Sequence, residues 1–330
     1  MHTGAFLIAL AAVGTMGFAN QRGGTCTVAA LEEVVLKRRF NRLIALFEAS
    51  LWVGAGFVLL NAAGLLATIP VDYAAGVGTI VGGVLFGIGA FVNRACIFGT
   101  IAQLGSGELP YLATPFGFYL GSLAIEYLPS PTQLEDRSPL ISAPTWLALL
   151  IIPLICARIY THLRYMRRTG RSLWVHIWSP HVATTIIGIT FLVTMVTQPN
   201  WTYSEVLSDL AHGMTFGMRP KVLLGVALLA GAMLGGVTAG RFKIVAPDLA
   251  GIVRHLAGGI LMGAGALLIP GGNTGLALVG LPLLWPYAWL AFMTICITIY
   301  VGLRLAVRGR PTVDDSGSLG RFRPRSGGMD

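Results

Sequence analysis

Long apolar runs with few polar interruptions dominate the pattern of this chain. Crossing roughly 30 Å of hydrocarbon takes about 20 helical residues. The runs do not alternate between polar and apolar positions as the strands of a membrane barrel do, so helix is the state they predict. We expect nine transmembrane helices. They lie at about 4–20, 43–66, 74–94, 111–128, 144–163, 181–198, 219–240, 251–270 and 285–306.

The amino-acid composition also favours transmembrane helices. Of 330 residues, 55% are hydrophobic, 43 are glycine and only 11% are charged, and the mean hydropathy is +0.73. So few charges cannot cover a water-facing surface, which excludes a soluble enzyme, a secreted domain and a disordered regulator. The four cysteines are scattered, without the spacing of a disulfide scaffold or a metal site. We predict an all-α integral membrane protein without a cofactor.

The basic residues indicate an orientation. If the N-terminus lies outside, only Arg137, Arg219 and Lys221 of the 23 lysines and arginines fall outside. This asymmetry is typical of cytoplasmic loops. We therefore expect a multi-pass protein of a bacterial inner membrane, with the C-terminus cytoplasmic and the lipid bilayer as its surroundings. The net charge of +9 then reflects topology, and no nucleic-acid partner is needed. Residues 309–330 are predicted to be a disordered cytoplasmic tail.

Two segments resemble each other at a fixed offset. Residues 82–99 and 258–275 share seven aligned identities, five of them glycines. The charge distribution orients the two segments oppositely, which predicts inverted, pseudo-symmetric halves covering 1–143 and 144–308. Glycines with GxxxG spacing, such as Gly83 and Gly87, are interpreted as close helix contacts.

Three segments are too short and too broken to span: 20–35, 95–110 and 271–284. Irregular backbone at membrane depth occurs where it is buried in protein or lines a cavity. The N-terminus of a short helix directs N–H groups that can hold an anion. We predict re-entrant or broken helices here, and ordinary loops remain the alternative.

Two cysteines stand out because each lies in a glycine-rich break near an arginine: Cys26 near Arg22, and Cys96 near Arg94. A neutral thiol can donate to an anion, whereas a thiolate repels one and suits sulfur-transfer chemistry. The alternatives are buried cysteines that act as small hydrophobes and arginines that only set topology. Cys156 and Cys296 lie in regular apolar runs and are interpreted as ordinary helix residues.

Residues 17–34 (GFANQRGGTCTVAALEEV) and 87–108 (GIGAFVNRACIFGTIAQLGSGE) resemble the two signatures of the YeeE/YedE family of sulfur-transport membrane proteins. The resemblance implies a compact helical bundle of two inverted halves that imports thiosulfate or a related sulfur anion. It also implies that Cys26 and Cys96 line a narrow path. Where family members often carry a further cysteine, this chain has Asn273 and Thr274, which suit a harder oxyanion as well.

These observations together predict a permease for a small sulfur-containing anion, most simply thiosulfate, and not an enzyme. The predicted substrate path is lined by Cys26, Cys96, Arg22, Arg94, Gly99, Asn273 and Thr274. One alternative is a membrane-embedded sulfurtransferase in which Cys96 carries a persulfide, although no base is evident beside either cysteine. Another is a membrane subunit that docks a cytoplasmic sulfur-carrier protein on the basic loop 158–171.

Overall fold

A computed structural model describes residues 3–66, 70–124, 131–134, 138–142, 144, 146–169, 178–199, 201–213 and 217–308. Within these residues the regular secondary structure is helical except for one antiparallel pair of two-residue strands, β1 (Asp72–Tyr73) and β2 (Gln133–Leu134), and an isolated parallel bridge between Glu108 and Val245. The all-α prediction is confirmed. The predicted disordered tail, 309–330, lies outside the described residues, as does Arg137.

Thirteen α-helices follow one another in the described part of the chain. They are α1 (Thr3–Gly23), α2 (Thr27–Lys37), α3 (Asn41–Ala62), α4 (Val77–Asn93), α5 (Ile97–Gly105), α6 (Ala113–Ala124), α7 (Trp146–Thr169), α8 (Pro180–Thr197), α9 (Tyr203–Ala211), α10 (Met218–Thr238), α11 (Leu249–Leu268), α12 (Gly272–Gly275) and α13 (Pro286–Arg308). A 3₁₀ turn at Leu109–Leu112 precedes α6, and a π-helical turn at Leu276–Gly280 follows α12.

Seven stretches of the described chain are long and apolar enough to cross a membrane, which supports a multi-pass membrane protein. Two of them join a long helix to the short one after it, namely α1 with α2 and α4 with α5. The others are α3, α8, α10, α11 and α13. The predicted spans at 111–128 and 144–163 correspond to α6 and α7, which are not among the seven, so the count of nine is not confirmed.

The helices α4 and α11 cross through paired glycines. A methyl group added at Gly82 would lie 2.9 Å from the carbonyl oxygen of Gly265, and one added at Gly265 would lie 2.6 Å from that of Gly82. The same holds for Gly89 and Gly258, at 2.7 and 2.9 Å. The two helices therefore run antiparallel with their backbones in direct contact, which only glycine permits.

The predicted GxxxG contacts are confirmed on both helices. Gly83 and Gly87 of α4 face Thr294 and Thr298 of α13. On α11, Gly259 and Gly263 lie against the backbone of α6 at Thr114 and Phe118. Each of the two central helices is thus held between its glycine partner and one outer helix.

The helix α7 lies apart from this glycine-packed centre and packs against α3. An apolar chamber of about 810 Å³ separates parts of the two helices and is lined by residues such as Leu51, Ile155 and Trp289. At one end of it, Glu48 accepts a hydrogen bond from Arg158 at 2.7 Å and lies 2.6 Å from Nδ1 of His181. The ion pair holds α7 on α3 and α8.

Candidate functional site

The first turns of α2 and α5 meet at two cysteines. Cys26 and Cys96 occupy the N-cap positions of these short helices, and their Sγ atoms are 3.5 Å apart. The backbone N–H of Cys96 donates to Cys26 Sγ at 3.4 Å, and that of Gly99 donates to Cys96 Sγ at 3.4 Å. Both thiols are buried. Residues 70 positions apart in the chain therefore form one sulfur-lined point of contact.

Gly99 makes this approach possible. A methyl group added at Gly99 would lie 2.5 Å from Cys26 Sγ and 2.9 Å from Cys26 Cβ. Any side chain at this position would push the cysteines apart, because no conformation of Cβ avoids the overlap. The glycine is thus part of the site through the space that it leaves.

The turn that carries Asn273 and Thr274 reaches the same place from the other half of the chain. It begins at Gly271 and Gly272, whose φ angles of 87° and 53° favour glycine. The Asn273 side chain donates to Thr27 Oγ1 at 2.9 Å, next to Cys26 in the chain, and also faces the Cys96 thiol. The structure therefore brings Asn273 together with Cys26, Cys96 and Gly99.

Two buried oxygen atoms in this turn have no hydrogen-bond partner among the described residues: Oδ1 of Asn273 and the hydroxyl of Thr274. A buried polar group without a partner costs about 1–3 kcal/mol, so such groups are rare unless something else meets them. A polar solute passing this point would find an unengaged hydroxyl donor. This is the feature expected of a path residue.

A network behind Cys96 escaped the sequence analysis. The Asn93 amide donates to Ala95 O at 2.8 Å and to Thr100 Oγ1 at 3.1 Å. Its Oδ1 accepts from Thr114 at 2.8 Å and lies 2.8 Å from His255 Nδ1. Since Oδ1 only accepts, the network assigns a proton to Nδ1. These bonds fix the backbone on both sides of Cys96.

Asn20 anchors the other cysteine in the same way. Its side chain is fully buried, donates to Phe98 O in the first turn of α5 at 2.8 Å and accepts from Thr25 at 2.7 Å. The bonds tie the end of α1 to the turn that carries Cys26. The sequence does carry a signal for Asn20 and Asn93. Each is an amide side chain at the end of an apolar run, and such a group needs hydrogen-bond partners when it is buried.

The two predicted arginines lie at the ends of α1 and α4. Arg22 is buried in the last turn of α1, where it donates to Thr238 at 2.6 Å and lies 4.9 Å from the centre of the Phe18 ring. Arg94 is exposed and ends α4 in the left-handed conformation, with φ of 60°. The role of both arginines in the substrate path stays a prediction.

A small cavity of about 200 Å³ lies mainly among residues of the second half of the chain and reaches β1 of the first half. Its lining includes Tyr73, Trp201, Thr202, Glu205, Gly271 and Tyr287. We call this cavity the vestibule. Ser204 in the first turn of α9 donates to Gly271 O at 2.8 Å, so α9 and the turn before α12 meet here. Gly271 and Gly275 line the vestibule and flank Asn273, which connects the vestibule to the cysteine pair through one turn of chain.

The site offers thiols, hydroxyls, an amide and backbone N–H groups within an apolar bundle. These are hydrogen-bond donors suited to a small anion. Across the described ranges, no group of three or more His, Cys, Asp and Glu side chains is placed to hold a metal ion.

Comparison with known proteins adds independent information. A family model described as sulphur transport matches residues 22–301. The chain is 24% identical over 327 residues to a protein of Escherichia coli (strain K12) named thiosulfate transporter TsuA, covering 86% of this chain and 90% of that protein. It is 25% identical over 306 residues to a protein of the same name from Spirochaeta thermophila (strain ATCC 700085 / DSM 6578 / Z-1203), covering 83% of this chain and 91% of that protein.

Proposed function

Because the chain belongs to the sulphur transport family, known also as the YeeE/YedE family, we propose that it imports a small sulfur-containing anion, with thiosulfate as the substrate. The match covers most of the chain, and both relatives are named thiosulfate transporters. Identity of 24–25% leaves the substrate itself to experiment.

The observation that carries the proposal is the convergence of Cys26, Cys96 and Asn273. A neutral S–H group and an amide donate weak hydrogen bonds, which hold an anion without trapping it. The N-termini of α2 and α5 add positive potential at the same place. In the path we propose, the anion enters the vestibule, passes the Asn273–Thr274 turn and reaches the cysteine pair.

We infer that the two halves are inverted repeats. The described helices of the two halves follow a similar order: α1 to α5 and α8 to α12 are each long, short, long, long, short, and one more helix follows in each half, α6 and α13. The glycine contacts support this, because the contact of Gly82 with Gly265 becomes that of Gly258 with Gly89 when the aligned segments are exchanged. Such reciprocity is what a two-fold relation produces. With α6 and α7 counted as spans, the bundle has nine.

The proposed orientation places the N-terminus outside and the C-terminus in the cytoplasm. The vestibule then opens outward, because the indole of Trp201, which lines it, donates to the carbonyl oxygen of Lys221 at 3.1 Å. Lys221 lies at the predicted external end of α10. Arg241 and Lys243, just beyond its other end, lie on the predicted cytoplasmic side.

Docking of a cytoplasmic sulfur-carrier protein stays a prediction. Arg158, Arg164 and Arg167 are exposed on α7, as a docking face for an acidic partner requires. The rest of the basic loop, from residue 170, lies outside the described residues.

Uptake of radiolabelled thiosulfate tests the proposal directly. Bacterial cells lacking their own sulfate and thiosulfate importers would express the wild type, Cys96→Ser, Cys26→Ser or Cys156→Ser. The last variant is a matched control, because Cys156 is exposed on α7 and away from the cysteine pair. We expect uptake by the wild type and the control and a loss of at least about tenfold in the other two, because a hydroxyl binds its neighbours more strongly and is smaller than a thiol.

Normal uptake by both site variants, at matched membrane expression, would refute the cysteine-lined path. Absence of uptake by well-inserted wild type would refute thiosulfate import. Release of sulfite from thiosulfate by the purified protein would instead support the sulfurtransferase alternative.

A further inference from the structure

A carboxyl group lines the vestibule, where an anion transporter should avoid negative charge. Glu205 is the third residue of α9, mostly buried, and its carboxylate accepts a hydrogen bond from Thr202 Oγ1 at 3.1 Å. The remaining lining is largely aromatic and apolar, including Tyr73, Trp201 and Tyr287. A cavity of about 200 Å³ beside this carboxyl is large enough for a small anion.

The nearby cation is already engaged. Lys221 on α10 donates to Asp209 Oδ2 at 2.6 Å, one turn further along α9 than Glu205. Besides this pair, the titratable groups that face Glu205 are Tyr73 of β1 and Tyr287 of α13, both of which are neutral in their ordinary state. Asp209 adds repulsion and Lys221 adds attraction, so the surroundings do little to compensate a charge on Glu205.

An ionised Glu205 and a sulfur anion in this cavity would therefore repel each other at close range, beside a lining that is largely apolar. A protonated Glu205 removes the repulsion and supplies an O–H donor to the anion. We propose that Glu205 is a proton-binding site of the vestibule and that the anion binds there together with one proton. This deepens the proposed function and rests on it, since it assumes an anionic substrate.

The proton comes from water and resides on one carboxylate oxygen of Glu205. The vestibule that holds the anion is therefore less negative by one charge than it would be with an ionised Glu205. By linkage, proton binding that favours the anion requires that the anion favour the proton by the same factor. Burial supports the assignment, because it raises the pKa of Glu205 to about 7.

The competing interpretation is purely structural. Thr202 is the N-cap of α9 and accepts from the Glu205 N–H at 3.3 Å, so Glu205 stands where a capping box places an acidic residue. Glutamine serves that position equally well. Glu205→Gln therefore keeps the cap and removes only the titration.

Calorimetric binding of thiosulfate to the purified full-length protein in lipid nanodiscs separates the two interpretations. For the wild type, we expect Kd to rise about tenfold per pH unit above pH 7 and to level off below it. Repeating the titration at pH 8 in buffers of different ionisation enthalpy should show uptake of about one proton per anion. Glu205→Gln should bind with nearly the low-pH affinity of the wild type at every pH and take up no proton.

Glu32→Gln is the matched control, because Glu32 is an exposed carboxylate on α2. It should behave as the wild type does. A wild-type Kd that is the same at pH 6 and pH 8, or a Glu205→Gln variant that keeps the wild-type pH dependence, would overturn the inference. Both results would leave thiosulfate import standing. Absence of binding at every pH would overturn the inference too, and uptake in cells would decide the function separately.

Discussion

In the inverted repeat proposed above, the meeting of α2 with α5 at the cysteine pair corresponds to that of α9 with α12 at the vestibule, yet the two meeting points are built differently. At the cysteine pair, two short helices meet through sulfur atoms 3.5 Å apart, and Cys26 fills the space that Gly99 leaves. At the vestibule, the hydroxyl of Ser204 meets the carbonyl oxygen of Gly271, and about 200 Å³ stays open beside them. The first meeting point is closed and holds two thiols, whereas the second is open and has a largely aromatic and apolar lining that includes Glu205.

This difference fits the proposed path, in which the two junctions would have different tasks. The open junction would admit the anion, and the closed one, where both thiols are buried, would offer weak S–H donors. The turn with Asn273 and Thr274 lies between them. On this proposal, the closed junction provides selectivity and the open one provides access.

The largest effect is expected from a substitution that fills the space at the cysteine pair. Gly99→Ala places a methyl group 2.5 Å from Cys26 Sγ. We expect loss of thiosulfate uptake of about tenfold or more and a lower thermal midpoint, since overpacking a buried site costs roughly 1–3 kcal/mol. Gly225→Ala is the control, because a methyl group there meets only a Tyr203 ring carbon at 4.0 Å. Equal loss in both variants would show that any glycine change in these helices suffices.

A smaller effect is expected where the two junctions are joined. Asn273→Ala removes the hydrogen bond to Thr27, and Thr27→Val removes it from the other side. Each should lower uptake several-fold, and the double variant should lose little more than either single variant, which a double-mutant cycle measures. Asn61→Ala is the matched control, because it removes a comparable amide hydrogen bond, to Ile141 O at 3.1 Å. If the losses of uptake in Asn273→Ala and Thr27→Val were strictly additive, this result would contradict a shared role of the two residues.

The smallest effect concerns one hydroxyl. Thr274→Val keeps the shape and deletes a buried donor that has no partner among the described residues. We expect thermal stability to stay the same or to rise, by about 1 kcal/mol at most, while uptake falls about two- to fivefold because the anion loses a donor. Thr194→Val is the control, since that hydroxyl donates to Thr190 O within its own helix. Lower stability with unchanged uptake would assign Thr274 to packing alone.

The positions of the broken segments could be predicted from the sequence because glycine and polar residues interrupt long apolar runs. The breaks appear at Cys26, at Cys96 and at Gly271, and glycines mark the helix crossing at Gly82 and Gly258. Local composition decides such features, so one sequence suffices to find them.

Contacts between the segments could not be predicted in this way. The hydrogen bond from Asn273 to Thr27 joins residues 246 positions apart, and that between Asn93 and His255 joins residues 162 apart. The left-handed backbone of Arg94 at the end of α4 could not be predicted from the sequence either, and its role in the path stays a prediction.

The glycine crossing of α4 and α11 bears on how such a protein could move its substrate. With Gly82 against Gly265 and Gly89 against Gly258, backbone meets backbone at two points about two helical turns apart. If either helix slid along the other, a larger side chain would take the place of a glycine at these contacts, where only a hydrogen atom fits. The contact therefore resists sliding of α4 along α11, and the proposed path would open through small side-chain rotations within a stationary frame.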